Sequence, residues 1–207
     1  MAAPYIIGIA GPSGSGKSTI AGLVAKEIGA QIFSLDSYYH ELSHLTYEER
    51  CKANFDHPDS LDSKLLSEHL HALSRGESIV RPIYDFSIHT RAKETERVTP
   101  GDYLIVEGIF ALVWDHIREL YGTKVFVEAG HKLCLGRRIK RDIEERGRTE
   151  ESVLAQYEAT VRKMMDLYIK PTKQYADMIL SGDQPVAENA ETILEHVRSH
   201  AATHAKS

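Results

Sequence analysis

Residues 11–18 read Gly-Pro-Ser-Gly-Ser-Gly-Lys-Ser, a complete GxxxxGK[ST]. Its glycines let the backbone turn N–H groups inward around phosphate oxygens, and a helix opening there adds partial positive charge. Lys17 can reach the outer phosphates of a nucleotide, and the Ser18 hydroxyl can ligate Mg²⁺. The cradle is assigned to Gly11, Ser13, Gly14, Ser15, Gly16, Lys17, Ser18 and Thr19. A glycine-rich turn could match the pattern by chance. A strand before it and a helix after it are the context the motif requires.

Two acids stand at the ends of apolar runs. Glu107 closes Tyr-Leu-Ile-Val-Glu, and the tip of a central strand is where ligands bind in open α/β sheets. There it could hold Mg²⁺ directly or through water, or simply face solvent. Asp36 follows a second short run within Ser-Leu-Asp-Ser-Tyr-Tyr. In-line phosphoryl transfer needs a group that orients an acceptor hydroxyl and takes its proton, and a carboxylate suffices. A turn or cap aspartate is the alternative.

Three further segments are dense in polar or aromatic groups. In Asn-Phe-Asp-His-Pro-Asp-Ser-Leu-Asp (54–62), Asp56 could accept two hydroxyl hydrogen bonds from a sugar. Asp59 and Asp62 read as turn and cap residues there, and His57 before Pro58 as structural. Tyr84 and His89 could stack on and hydrogen-bond to a flat heteroaromatic ring, or serve as core and surface residues. Between 137 and 148, six basic residues against three acids give net +3 on a chain of net charge −5. Arg137 and Arg141 share a helical face without an intervening acid, a mildly unfavourable arrangement unless an anion joins them. On a lid hinged at Gly147 such arginines could close over a triphosphate. A solvated helix with Arg138–Asp142 and Lys140–Glu144 pairs would account for part of the island.

The elements that must position these groups follow from the pattern of the chain. Tyr5–Ala10, Gln31–Leu35, Tyr103–Glu107, Lys124–Glu128 and Met178–Leu180 read as strands. Helices are expected over Ser18–Ile28, around Thr46–Lys52, from the Asp62 cap to Ser74, over Asp115–Tyr121, 132–145, 150–169 and Glu188–His200. Ser78–Tyr84 and Thr95–Val98 could pair as a small hairpin inserted over 78–99. Only the last residues, 201–207, read as a disordered tail. Strands alternating with helices give an α/β fold with a mainly parallel sheet. With 207 residues, one domain is expected.

Composition narrows the functions. The negative net charge argues against broad nucleic-acid binding, and a small cationic island on an anionic chain points to a small anionic ligand. The longest apolar run, Leu104–Trp114, is eleven residues long and contains Glu107, too short to span a membrane. MAAPYIIGIAG lacks a basic leader region, and the two cysteines, Cys51 and Cys134, form no CxxC, so a cytoplasmic protein without a disulfide framework is expected.

From about Tyr5 to Ile193 the chain resembles the uridine kinase (uridine–cytidine kinase) family of P-loop kinases. The resemblance is carried, in order, by GPSGSGKST, SLDSYY, NFDHPDSLD, PIYDFSIHTR, IVEGIFAL, RDIEERGRT and KPTKQYADMIL. It implies transfer of the γ-phosphate of ATP or GTP, with Mg²⁺, to the 5′-hydroxyl of uridine or cytidine. It implies Asp36 as base, Asp56 on the ribose hydroxyls, and Tyr84 and His89 reading the pyrimidine. Arg138, Arg148 and Gln156 match family positions near the nucleoside, and Lys17, Arg141 and Arg146 match phosphate contacts. The family is commonly tetrameric and inhibited by CTP or UTP. Three departures lie outside these motifs: Cys134 where arginine is usual, Arg162-Lys-Met for Arg-Pro-Met, and Gly182-Asp183 for a glycine pair. The alternatives are a related small-molecule kinase of the phosphoribulokinase or pantothenate kinase kind, and a nucleotide-dependent regulatory switch. NFDHP with the Tyr84–His89 pair weighs against the first. The lack of an [NT]KxD guanine-reading sequence weighs against the second.

Overall fold

The computed structural model describes residues 3–204. Strand β1 (Tyr5–Ala10) is buried at every position, as a central strand covered on both faces must be. The glycine-rich loop follows it and opens helix α1 (Lys17–Ile28), which ends on Gly29 in the left-handed region. Strand β2 (Gln31–Ser34) runs into a 3-10 turn over Leu35–Tyr38. Helix α2 (Tyr47–Cys51) starts from a Thr46–Glu49 capping box, and α3 (Ser63–Ser74) from the Asp62 carboxylate, which accepts from Leu65 N–H at 3.1 Å. Strands β3 (Ile79–Asp85) and β4 (Thr90–Val98) form the hairpin.

Then come β5 (Tyr103–Glu107), α4 (Asp115–Arg118), β6 (Thr123–Glu128) and α5 (His131–Arg146). Helix α6 (Glu150–Gln156) continues through π-wound Tyr157–Val161, the α-helical turn α7 (Arg162–Met164) and π-wound Met165–Ile169. Strand β7 (Met178–Ser181) and helix α8 (Val186–His204) close the chain.

The main sheet has the order β2-β5-β1-β6-β7, and every neighbouring pair is parallel. Period-2 alternation sends its side chains to two cores. Ile6, Leu104, Val106 and Phe126 face one side with α3, the hairpin and Phe110. Tyr5, Ile7, Ile9, Ile105, Val125 and Val127 face the other, against α1 and α8. The result is a three-layer α/β fold, as expected from the alternation of elements. The register sets Ile9 and Ser34 on either side of Glu107, so the carboxyl ends of three strands meet beside the glycine-rich loop.

Several elements differ from expectation. The returning hairpin strand starts at Thr90 rather than Thr95, because its charged run, Arg91 to Arg97, hides the period in composition. An exposed two-stranded ribbon is held by cross-strand pairs such as Arg81–Glu96 at 2.7 Å instead. Helix α4 is one turn shorter than expected because the chain leaves it through tight turns, Leu120 N–H donating to Ile117 O and Tyr121 N–H to Arg118 O, both at 3.1 Å, before Gly122 N–H is taken up by Ile6 O of β1 at 2.9 Å. The tail does not begin at 201: α8 runs to His204, with Ala201 packed on the core, and 205–207 lie outside the described residues.

Candidate active site

The carboxyl ends of the strands open into a cavity beside the glycine-rich loop. Ser13, Lys17, Ser18, Asp36, Asp56, Tyr84, His89, Arg138, Arg141, Arg146, Arg148 and Gln156 all line it. Residues separated by up to 143 positions in the chain therefore share one chamber.

The floor is the glycine-rich loop, with φ positive at Gly11, Gly14 and Gly16. At Gly14 the requirement is doubled. Its φ is +84°, and a Cβ there would lie 2.5 Å from the carbonyl oxygen of Cys134 in α5. The loop residues divide by role. Ser13, Lys17 and Ser18 face the cavity, whereas Thr19 is exposed outside its lining and Gly11 is buried against β6. Ser15 turns inward: its N–H donates to Pro12 O at 3.1 Å, and its buried hydroxyl has no partner.

Glu107 is buried, and both its oxygens accept hydroxyl hydrogen bonds. Ser18 Oγ donates to Oε2 at 2.9 Å and Ser34 Oγ to Oε1 at 2.7 Å. A hydroxyl and a carboxylate side by side at the loop make an all-oxygen donor pair, which fits a hard cation such as Mg²⁺. Thus the strand-end glutamate does not face bulk solvent, and the chain brings it to Ser18.

Asp36 sits in the 3-10 turn after β2, where Ser34 Oγ accepts from its backbone N–H at 3.4 Å. Its carboxyl is raised above the usual carboxylate range by burial and by the nearby charge of Glu107, against the pull of Lys17, Arg146 and Arg141. The charges acting on it are therefore those of Lys17 in the loop and of the arginines Arg141 and Arg146, with Glu107 opposing them.

At the far end, Asp56 is buried and its Oδ1 accepts from Arg138 Nη1 at 3.4 Å, while Oδ2 has no partner. Tyr84 is likewise buried with an unpartnered hydroxyl. Its ring belongs to an aromatic wall with Tyr39 at 5.1 Å, Phe86 at 5.1 Å and Phe55 at 6.3 Å between centroids. His89 stacks on Phe55 at 5.4 Å, 20° from parallel. Its φ of +53° makes it the one non-glycine residue in the left-handed region among the described residues. Burial, then Arg148 and Arg146, lowers its pKa, so the imidazole is neutral at neutral pH. His57 is structural, as expected, with Nε2 2.9 Å from the Tyr168 hydroxyl. Asp62 adds an ion pair to Arg91 at 3.3 Å to its capping role.

The arginine island is organised by one buried acid. Asp142 has no exposed side-chain surface and lies within 4 Å of Arg141 (2.7 Å), Arg148 (3.2 Å), Arg146 (3.5 Å) and Arg138 (3.7 Å). Burial works to raise its carboxyl, but Arg141, Arg146 and Arg138 outweigh that and hold it below the usual range. Arg141 also donates to Ser13 Oγ at 3.3 Å, tying α5 to the glycine-rich loop. Arg146 lies over the Phe86 ring at 4.1 Å; burial and neighbouring Arg141 make its charge costly, a field that favours an added anion. Gln156 Oε1 accepts from Arg138 at 3.1 Å and from Arg148 at 2.6 Å, so it braces two arginines. The segment expected as a lid is mostly helix α5, with Gly147 as its left-handed C-cap at φ +62°.

Sequence reasoning missed Tyr39, Phe55, Phe86 and Ile109 in the lining, and the part played by Asp142. The aromatics stood within segments already singled out. Their signal was position beside Asp36, Asp56 and Tyr84, which only the fold turns into a wall.

The model of the Phosphoribulokinase / Uridine kinase family matches residues 6–188. The chain belongs to this family of P-loop kinases. A relative from Vibrio vulnificus (strain YJ016), described as a uridine kinase, is 48% identical over 182 residues, covering 84% of this chain and 85% of that protein. Among solved structures, D-glycerate 3-kinase from Cryptococcus neoformans matches with TM-score 0.62 at 18% identity, over 89% of this chain and 88% of that one. Phosphoribulokinase from Rhodobacter spheroides matches with TM-score 0.61 at 15% identity, over 86% and 70%. At such identities the two structures establish the shared fold.

Proposed function

We propose that this chain is a uridine–cytidine kinase, transferring the γ-phosphate of ATP or GTP to the 5′-hydroxyl of the nucleoside. The observation that carries this is the pair of buried, unpartnered polar atoms, Asp56 Oδ2 and Tyr84 Oη, in one cavity with Lys17 and Asp36. A buried polar atom left without a partner costs on the order of 1–3 kcal/mol, and a ligand bearing hydroxyls and a polar ring removes that cost. Asp56 then accepts from ribose hydroxyls, and Tyr84 with neutral His89 reads the pyrimidine against Phe55 and Phe86.

The chemistry follows from placement and charge. Asp36 holds the acceptor hydroxyl and takes its proton as the new oxygen–phosphorus bond forms and the bond to the nucleoside diphosphate breaks. Lys17, Arg141 and Arg146 stabilise charge on the transferring group and the leaving phosphate. Ser18 and Glu107 would hold Mg²⁺, which when bound would supply positive charge against the phosphates. The reading includes a single domain with α5 as the arginine-bearing cover, a cytoplasmic location and a homo-oligomer, with the family's tetramer as the expected state in light scattering. No helix among the described residues is long and apolar enough to cross a membrane.

The test is a coupled assay of the purified protein with Mg-ATP or Mg-GTP against each common nucleoside, ribulose 5-phosphate and pantothenate. The reading expects turnover with uridine and cytidine. Turnover only with the sugar phosphate or pantothenate, or nucleotide hydrolysis indifferent to every acceptor, would contradict it.

A further inference from the structure

Arg137 is the one arginine of the island that the site does not use. It has no contact with Asp142 and does not line the cavity. Its guanidinium reaches the outer side of the glycine-rich loop instead. Nη1 donates to the carbonyls of Gly14 and Ser15, both at 3.3 Å, and Nη2 donates to the carbonyl of Gly182 at 3.1 Å. One planar side chain thus ties three segments together: α5, the phosphate loop, and the turn between β7 and α8.

The consequence follows from peptide geometry. In a trans peptide the C=O and the following N–H point in opposite directions. Holding the Ser15 carbonyl outward therefore turns the Gly16 N–H to the inner side of the loop. The Ser15 N–H is already committed to Pro12 O at 3.1 Å, which fixes the preceding peptide. Gly182 supports the same junction: its N–H donates to Glu128 O at 2.7 Å, and a Cβ at that position would lie 2.4 Å from the Ser15 carbonyl oxygen. Any side chain at 182 would displace the carbonyl that Arg137 holds. The face of α5 that carries Arg137 also lies against Gly14 through Cys134.

We propose that Arg137 is a positioning residue for the phosphate donor, acting through the backbone of the loop rather than by touching the nucleotide. The inference rests on the reading of that loop as the donor cradle. Arg137 orients the Gly16 amide toward the inner side of the cradle and locks the cradle to the helix that supplies Arg141 and Arg146. A fixed planar fork is required, since a lysine ammonium carries the charge but cannot span the three carbonyls in one plane.

The test is calorimetric titration of the full chain with a non-hydrolysable ATP analogue plus Mg²⁺, and separately with uridine, with thermal melting as the control for folding. R137A is expected to weaken the analogue about tenfold or more, the scale of lost charge-assisted hydrogen bonds, and to leave uridine affinity within about twofold. R137K is expected to recover only part of the loss. G182A, which breaks the junction without touching the arginine, is expected to give the same selective loss. Wild-type analogue affinity in R137A or in G182A would overturn the proposal. So would full recovery in R137K, which would make the effect one of charge alone, or equal weakening of both ligands. The donor titration decides the matter whatever the acceptor proves to be, so a wild-type protein that binds the analogue but phosphorylates no nucleoside contradicts only the preceding reading. A wild-type protein that does not bind the analogue overturns both.

Discussion

The Asp142 carboxylate accepts two hydrogen bonds on one oxygen from its sequence neighbour Arg141, from Nη2 at 2.7 Å and from Nε at 3.0 Å. Adjacent residues on a helix do not ordinarily face each other. Here the arginine side chain folds across the fully buried acid, which leaves Nη1 to reach Ser13 in the phosphate loop. Asp142 is therefore the fixed counter-charge around which the cationic wall of the site is arranged.

Replacing that acid tests the arrangement. D142N is expected to lose about 2–3 kcal/mol of stability at neutral pH, discounted from the ~3–5 kcal/mol of a fully buried pair because its arginines are partly exposed. The folded-state pKa of Asp142 is depressed, so its contribution is complete above the unfolded value of about 4 and is lost as pH falls through the lower folded value. Denaturant titrations of both proteins should show a constant gap above about pH 4 that narrows below it. A gap that widens on acidification would contradict the assignment.

Asp36 is expected to act in turnover and not in donor binding. D36N should bind a non-hydrolysable donor analogue as the parent does and lose on the order of 10²–10⁴ in kcat. Near-parental kcat in D36N would remove it from the role of base.

Asp56 and Tyr84 should separate the two substrates. D56N is expected to raise the nucleoside KM by about 10- to 100-fold, the scale of a hydrogen bond to a charged group, with little change in donor KM. Y84F should give a smaller change in the same direction. Steady-state kinetics with each substrate varied in turn would show this, and a rise confined to the donor KM would place both residues at the wrong end of the cavity.

The metal pair is tested by its concentration dependence. Chelation with EDTA is expected to abolish turnover, and added Mg²⁺ to restore it. E107Q should shift the Mg²⁺ needed for half-maximal rate upward several-fold, as loss of a carboxylate near a hard cation would. An unchanged Mg²⁺ requirement in E107Q would detach Glu107 from the site.

Much of this was legible in the sequence because the responsible signals are local. The phosphate loop needs only its glycines, Lys17 and Ser18 at fixed spacing, and the buried strand before it is apolar throughout. Asp36 and Glu107 could be placed at strand ends, since the apolar runs stop there. What escaped was set by long-range packing. The Arg138–Asp142 pair was visible at helical spacing, but the Arg141–Asp142 contact is not. Arg148 reaches Asp142 only because Gly147 turns the chain back after α5. Phe55 and Phe86 became a wall only when the hairpin, whose charged second strand carries little periodicity, folded beside the 54–62 segment. The continuation of α8 past residue 200 was hidden in the same way, because Ala201 gains its partners from the other end of the sheet.

Asp36 and the phosphate cradle are expected to face each other across the position of a nucleoside 5′-oxygen. Phosphorus NMR of the reaction of the purified protein with Mg-ATP and uridine measures this most directly. The expected product gives a resonance coupled to the two 5′-protons of uridine monophosphate, absent from the D36N reaction over the same time. Phosphate released only as inorganic phosphate, or attached to the 2′- or 3′-oxygen, would contradict it.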